Sequence, residues 1–237
     1  MVAKRMKCDL RPRGEGPFLV IDLYSRLLKH FGPQGWWPGD GPFEMMVGAV
    51  LTQNTAWTNV EKAIANLKED GLLETAVLAT APAAKIEAAV RPAGYFRQKA
   101  ARLRGFAVWF GEEWNSDTGR MFAESTLLLR ERLLSVKGLG PETVDSILLY
   151  AGGKPVFVID AYTRRIVGRL GLTDLTGYDE LQRFFIRNLP VDVELYREYH
   201  ALLVRLGKTY CRADSAKAGC PACPVGGDCE YNLLAEV

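Results

Sequence analysis

Long apolar runs are missing from this 237-residue chain. None reaches the roughly 18 to 20 residues that a helix needs to span a bilayer, and the N-terminus carries no apolar stretch of the kind that directs secretion. The expectation is a cytoplasmic protein with no membrane partner. Charge of one sign is missing too: 30 Lys and Arg stand against 28 Asp and Glu, and a net charge of +2 does not by itself announce nucleic acid. Alternating apolar and polar residues are scarce, the only β-like run being Val156 to Ile159, so the reading is an all-α protein. Neither a repeat of fixed period nor a low-complexity segment is present, which removes solenoids and compositionally biased tails. What remains, 48% hydrophobic and 24% charged residues, suits one large globular domain or two small ones.

The positive charge is small in sum but uneven in place. Lys4, Arg5, Lys7, Arg11 and Arg13 crowd the N-terminus, and Arg91, Arg97, Lys99, Arg102 and Arg104 form an acid-free stretch. Each is a phosphate-facing patch or a solvated face. Residues 1–17 read as a basic, mobile arm. Helical spacing then predicts a first helix through Leu19, Leu23, Leu27 and Phe31. A loop with Trp36 and Trp37 follows, and then a buried helix over Phe43 to Leu51 that the polar Thr52-Gln53-Asn54-Thr55 interrupts. Further helices are expected over Val60–Leu67, Leu72–Leu78, Pro82–Val90, from Phe96 through Trp109, Glu124–Val136, Ala161–Leu170, Tyr178–Leu189 and Val193–Leu206.

The stretch from Leu134 to Leu149 organises the chain. Amphipathic helices flank a break at Gly138-Leu139-Gly140, the glycines tolerate positive φ, and Pro141 suits the first position of the second helix. A helix, a hairpin and a helix result. Without side chains at Gly138 and Gly140, a phosphate can approach the backbone N–H groups there. Taken alone the pattern is also that of an ordinary helix–helix turn. Eighteen positions beyond Glu142, Asp160 ends the apolar run Pro155 to Ile159 and stands where a helix N-cap would. Near the C-terminus Cys211, Cys220, Cys223 and Cys229 form C-x8-C-x2-C-x5-C, a metal-site pattern in a cytosolic chain rather than a disulfide framework. Four thiolates suit tetrahedral zinc or a [4Fe-4S] cluster, and their spacing does not choose. Cys8 is left over as a free thiol.

Together the hairpin, the following carboxylate and the cysteine cluster resemble the helix-hairpin-helix DNA glycosylase superfamily, the endonuclease III branch, over most of the chain from Phe18 to Cys229. That resemblance implies a two-lobed all-α fold with a C-terminal [4Fe-4S] loop. Its parts are a helical-barrel lobe over residues 41–135, the hairpin motif at 134–149, and a second lobe from residues 18–40 plus 150–237. The cysteine loop spans 211–229, holds the cluster in preference to zinc, and sets Arg212 and Lys217 against phosphate. The implied partner is double-stranded DNA bearing a damaged base, bound by a monomer. Such an enzyme takes the nucleotide out of the stack, and a carboxylate, here Asp160, stabilises the positive charge developing on the deoxyribose.

Family members that also nick DNA carry a lysine two residues after the second hairpin glycine, where its amine forms a Schiff base. This sequence has Glu142 there, and a carboxylate cannot form an imine, so the resemblance implies base excision without an efficient lyase step; Lys137, on the other side of the hairpin, is not the nucleophile. Trp36-Trp37-Pro38, Leu51-Thr-Gln-Asn-Thr55, Val90-Arg-Pro-Ala-Gly-Tyr95 and Glu142-Thr143 with Asp145 are similar to the 3-methyladenine DNA glycosylase sub-branch typified by the Helicobacter enzyme, which lacks the cysteine cluster. Trp36, Trp37, Trp57 and Lys208 are then expected in the base pocket, Lys208 at a position carbamylated in that sub-branch. Gln53 is expected to fill the gap left by the flipped nucleotide, with Gly138, Leu139, Gly140 and Glu142 on the DNA. Each residue also has a plainer reading, as core, cap, turn or surface charge. Two other functions stay open: an endonuclease III-like glycosylase and lyase acting on oxidised pyrimidines, and a non-catalytic DNA-binding module.

Overall fold

The computed structural model describes residues 20–37, 39–213 and 219–233. The basic arm, Cys8, Leu19, Pro38 and Lys217 lie outside them. Thirteen α-helices and no strand occur among the described residues. Helix α1 (Val20–Phe31) is followed by α2 (Pro42–Leu51), α3 (Trp57–Glu69), α4 (Thr75–Thr80), α5 (Ala83–Val90), α6 (Phe96–Trp114) and α7 (Thr118–Phe122). Then come α8 (Thr126–Ser135), α9 (Pro141–Ser146), α10 (Ala161–Leu170), α11 (Tyr178–Asn188), α12 (Val193–Thr209) and α13 (Glu230–Leu233). No described helix is long and apolar enough to cross a membrane.

The helix ends follow local chemistry. Pro42 opens α2 and Thr52 closes it, its hydroxyl donating to Gly48 O at 2.7 Å. Asn54 adopts φ +54 in the polar break that follows. Helix α6 runs five residues beyond Trp109 because Phe110 and Trp114 continue its buried stripe, and Asn115 ends it in a left-handed conformation. Ser125 and Asp192 cap α8 and α12, accepting the N–H groups of Leu128 and Leu195. The Leu72–Leu78 segment forms a helix only from Thr75, and α7, too short for periodicity to reveal, is set by its Asp117 cap. The apolar run Val156–Ile159 is extended and buried but pairs with no strand.

Two apolar cores result. The first gathers side chains from α2 through α9, with Phe43, Phe106 and Phe110 stacked at 5.9 and 6.1 Å between ring centres. The second joins α1 to the chain beyond Leu149, around Phe157 and Phe185, whose rings stack at 4.2 Å, with Tyr196 and Tyr199 edge-on to Phe157. Between them α9 runs on into a π-helical turn, Ile147–Ala151, closed by Gly152 N–H donating to Ile147 O at 3.0 Å. A wider turn of this kind rotates the side chains beyond it, so Ile147 and Leu148 enter the first core and Leu149 and Tyr150 the second. Its end is closed from the other side: the Arg197 guanidinium donates to Leu149 O at 3.2 and 3.0 Å and to Tyr150 O at 2.9 Å.

Candidate active site and nucleic-acid interface

The hairpin between α8 and α9 has Gly138 at φ +92, while Leu139 is buried and its N–H donates to Val136 O at 3.1 Å. The glycine at 138 is needed for two reasons. Its backbone is left-handed, and a Cβ there would stand 2.7 Å from Arg102 Cγ. Gly138 and Gly140 are exposed, so the hairpin backbone is open to solvent there. Gln53, from the polar break after α2, reaches this turn. Its amide donates to Thr143 Oγ1 at 2.9 Å and to Gly138 O at 3.3 Å, and Arg102 of α6 donates to its carbonyl oxygen.

Helix α9 is moored from behind. Arg130 of α8 forms two hydrogen bonds to the fully buried Asp145, at 2.7 and 3.1 Å. Gln182 of α11 donates to Asp145 Oδ2 at 2.7 Å and to Phe157 O at 2.8 Å. The carboxylate is thereby satisfied on both oxygens.

Asp160 begins α10. It is 7% exposed, and its Oδ1 accepts the Thr163 N–H at 2.7 Å. Burial pushes its carboxyl up, but His200, with Oδ2 3.6 Å from Nε2, and the Thr163 backbone outweigh this and hold it below the usual carboxylate range. The group is therefore ionised at neutral pH. Glu142, in the first turn of α9, keeps substantial contact with solvent yet feels the surrounding protein. Partial burial and then the negative charge of Asp160 raise its carboxyl above the usual range, against smaller opposing effects of His200 and Arg164.

The three half-buried tryptophans meet against Tyr150 and His200, which link them to Asp160. Trp37 stands edge-on to Trp57 with ring centres 4.8 Å apart, and Trp36 lies 5.7 Å from Trp37 and 6.5 Å from Trp57. Tyr150 packs on Trp37 at 4.7 Å, and His200 on Trp36 at 5.8 Å at a 35° angle. The tryptophan loop is pinned from α12, where Glu198 accepts the Gln34 N–H at 2.6 Å. Lys208 is not brought into this cluster: it is exposed in the last turn of α12, eight residues and roughly 12 Å along the axis from His200. A separate cleft of about 410 Å³ between α5 and α6, lined by Ala83, Ile86, Glu87, Arg97, Ala100 and Arg104, contains none of these residues.

The four C-terminal cysteines line one small cavity closed by Ile166, Leu170, Leu206 and Val225. Gly226 lets the loop close, since a Cβ there would lie 2.6 Å from Cys220 O. Burial pushes the Cys223 thiol up to about 11 and raises that of Cys229. Such thiols stay protonated unless a metal takes the proton's place. Arg169 donates to Cys211 Sγ at 3.4 Å, and Arg165 to Cys211 O at 2.8 Å. Among the described residues no three His, Cys, Asp or Glu side chains converge as one metal ion requires. A tetrahedral zinc would draw its sulfurs to within about 3.8 Å of one another, as its bond length of roughly 2.3 Å dictates. Four cysteines around a shared apolar cavity suit a cluster in which each sulfur binds its own iron.

The family model for HhH-GPD superfamily base excision DNA repair proteins matches residues 47–190, from α2 to just beyond α11. The chain belongs to that family. A Methanocaldococcus jannaschii protein provisionally named a DNA repair glycosylase is 44% identical over 89% of this chain and 96% of its own length. The crystal structure of a Helicobacter pylori 3-methyladenine DNA glycosylase bound to 1,N6-ethenoadenine superposes with a TM-score of 0.68 and 34% identity, covering 77% of this chain and 91% of that one. A non-covalent endonuclease III–DNA complex, 22% identical, shares the fold at a TM-score of 0.75 over 91% of this chain and 96% of that one. This chain is thus a DNA glycosylase of base excision repair.

Around the expected residues of this HhH-GPD protein stand several that sequence reasoning passed over. Tyr150 and His200 join the tryptophans to Asp160, and Arg197 closes the π turn. No local sequence pattern marks Tyr150 or His200. Arg102 was seen only as one charge in a basic stretch, although its place beside Gln53 and Gly138 sets it apart. Lys99 of the same stretch is buried, its amine donating to Ala93 O at 2.7 Å, and burial, with a smaller effect of Arg102, brings its pKa down to about 8.

Proposed function

We propose that the protein is a monofunctional glycosylase that hydrolyses the N-glycosidic bond of alkylated purines of the 3-methyladenine type in double-stranded DNA. The observation that carries the reading is the meeting of Trp36, Trp37 and Trp57 against Tyr150 and His200, which join them to the ionised, nearly buried Asp160. Alkylation at N3 or N7 leaves a purine electron-poor and cationic. Such a base stacks well on indole faces and departs without much acid catalysis. Likeness to the Helicobacter enzyme supports the choice of alkylated purines over oxidised pyrimidines.

In this reading the hairpin backbone of Gly138, Leu139 and Gly140 holds phosphate, with Glu142 at its edge, and Gln53 leaves Thr143 to fill the gap in the duplex. The flipped base lies against the tryptophans with its sugar towards Asp160. The C1′–N bond breaks, its electron pair leaves with the base, and Asp160 stabilises the positive charge on the sugar. Water then bonds to C1′ and gives its proton to solvent or to Asp160, leaving an abasic site. With Glu142 in place of an amine no imine forms, and the strand stays intact. Lys208, exposed on α12, contacts phosphate rather than the base. Cys211, Cys220, Cys223 and Cys229 hold a [4Fe-4S] cluster that keeps the C-terminal loop against α10 and α12.

Base release from methylated duplex DNA tests this, wild type beside Asp160→Asn, with a thymine-glycol duplex in parallel. Wild type should release 3-methyladenine, with strand breaks only after alkali. Asp160→Asn, which retains an N-cap, should release it about 100- to 1000-fold more slowly. Nicking of the thymine-glycol strand overturns the pocket assignment in favour of a lyase; silence on both substrates points to a binding module.

A further inference from the structure

One buried polar atom beside the tryptophans has no role in the reaction as written. His200 is 4% exposed, and its Nε2 has no hydrogen-bond partner although it stands 3.6 Å from Asp160 Oδ2. Its other ring nitrogen, Nδ1, lies 2.6 Å from the Tyr150 hydroxyl. Burial keeps that phenol protonated, and its alternative acceptor, Arg197 O, is farther off at 3.5 Å. Tyr150 is therefore the donor and Nδ1 the acceptor, which puts the ring N–H at Nε2, facing the carboxylate.

Asp160 is thus approached from two elements. The Thr163 N–H of α10 holds Oδ1, and the imidazole of α12 stands before Oδ2. Trp36, packed on the imidazole, keeps the ring in that plane. The other ionisable groups around Asp160 are Glu142 from α9 and Tyr150 from the π turn, with Arg164 of α10 acting on Glu142 and Arg197 and Glu198 of α12 acting on Tyr150; Asp40 of the tryptophan loop is paired with Lys68. Without a donor on Oδ2, burial and Glu142 both favour the protonated carboxyl.

We infer that His200 is a positioning residue for Asp160: its Nε2–H, fixed in that tautomer by Tyr150, turns the carboxylate towards the sugar and keeps it ionised while positive charge develops there. This rests on the glycosylase reading above. A contact of 3.6 Å is long for a hydrogen bond in the free protein, and such contacts shorten when the substrate's charge arrives.

Two nearly isosteric substitutions separate positioning from packing. Glutamine reaches as far as the imidazole and retains an N–H, whereas methionine fills the same volume without one. Single-turnover release of 3-methyladenine from methylated duplex is measured across pH for wild type, His200→Gln and His200→Met. His200→Met should be slower by about tenfold or more at neutral pH, as loss of a charge-assisted hydrogen bond implies, and the acid limb of its pH profile should move to higher pH. His200→Gln should stay within about threefold of wild type with its acid limb close to the original. Equal behaviour of the two variants, whether both normal or both impaired, overturns the inference. Should neither fold, Tyr150→Phe decides, because it frees the tautomer without emptying the site: a raised acid limb supports the role and an unmoved one overturns it. A wild type that releases no base overturns the glycosylase reading and this inference together, whereas active wild type with matching Gln and Met variants overturns this inference alone.

Discussion

Arg130 and Asp145 form a two-pronged ion pair at 2.7 and 3.1 Å across the back of the hairpin, and the aspartate is fully buried. Its worth lies in geometry more than in net attraction, because both groups lose water on pairing. Removing Asp145 leaves Arg130 only its exposed partner Asp179, at 3.2 Å, and takes one of two acceptors from the Gln182 amide. Asp145→Ala is expected to lower stability by about 3 kcal/mol in urea unfolding. It should also weaken DNA binding, since α9 would lose its mooring.

Gln53 is tied to Thr143 and Gly138 in the free protein, and entering a duplex means giving up those bonds. Gln53→Ala should leave the folded state nearly as stable, because the side chain is only half-buried. It should slow base release from duplex DNA by on the order of tenfold while affecting single-stranded substrate much less, because only the duplex has a gap to fill. Parallel single-turnover measurements on the two substrates check this.

Glu142 and Asp160 repel each other, and the raised pKa of Glu142 gives the sign of the effect. A carboxyl whose folded-state pKa lies above its unfolded value stabilises the fold while protonated, and that contribution is lost as pH rises through the folded pKa. Glu142→Gln, which stays neutral, should therefore raise the thermal midpoint at pH 7. The gain should vanish below about pH 4, where the wild-type carboxyl is itself protonated. Thermal melts at several pH values decide this, and a gain that persists at low pH would exclude charge as its origin.

The cysteine loop makes a stoichiometric prediction. Protein purified without air should contain about four iron atoms and four sulfides per chain, whereas a zinc site would give about one zinc. Cys223→Ala should abolish the visible absorbance of the cluster and expose the α10–α13 contact to proteolysis. The hairpin, in another part of the chain, should remain protected.

Much of the helical order was legible because buried stripes such as Leu23 and Leu27, or Val60, Ile64 and Leu67, repeat at helical spacing, and because Pro141 opens α9. The hairpin was legible for a similar reason, being carried by a short contiguous pattern. Tyr150 and His200 were not. They are 50 residues apart, and the register that aims Tyr150 arises from a π turn that no periodicity of four buried residues in a row discloses.

The π turn also bears on mechanics. Leu148 is fixed in one core, Leu149 in the other, and Arg197 clamps the carbonyl groups between them, so the segment is a weld and not a hinge. A vise welded at this point does not shut around its substrate. In the proposed reading the duplex would do the yielding, kinking until the nucleotide reaches Asp160, and a lesion that has already softened the stack would make that bend easier. Discrimination would then begin in the stiffness of the DNA, before any indole touches the base.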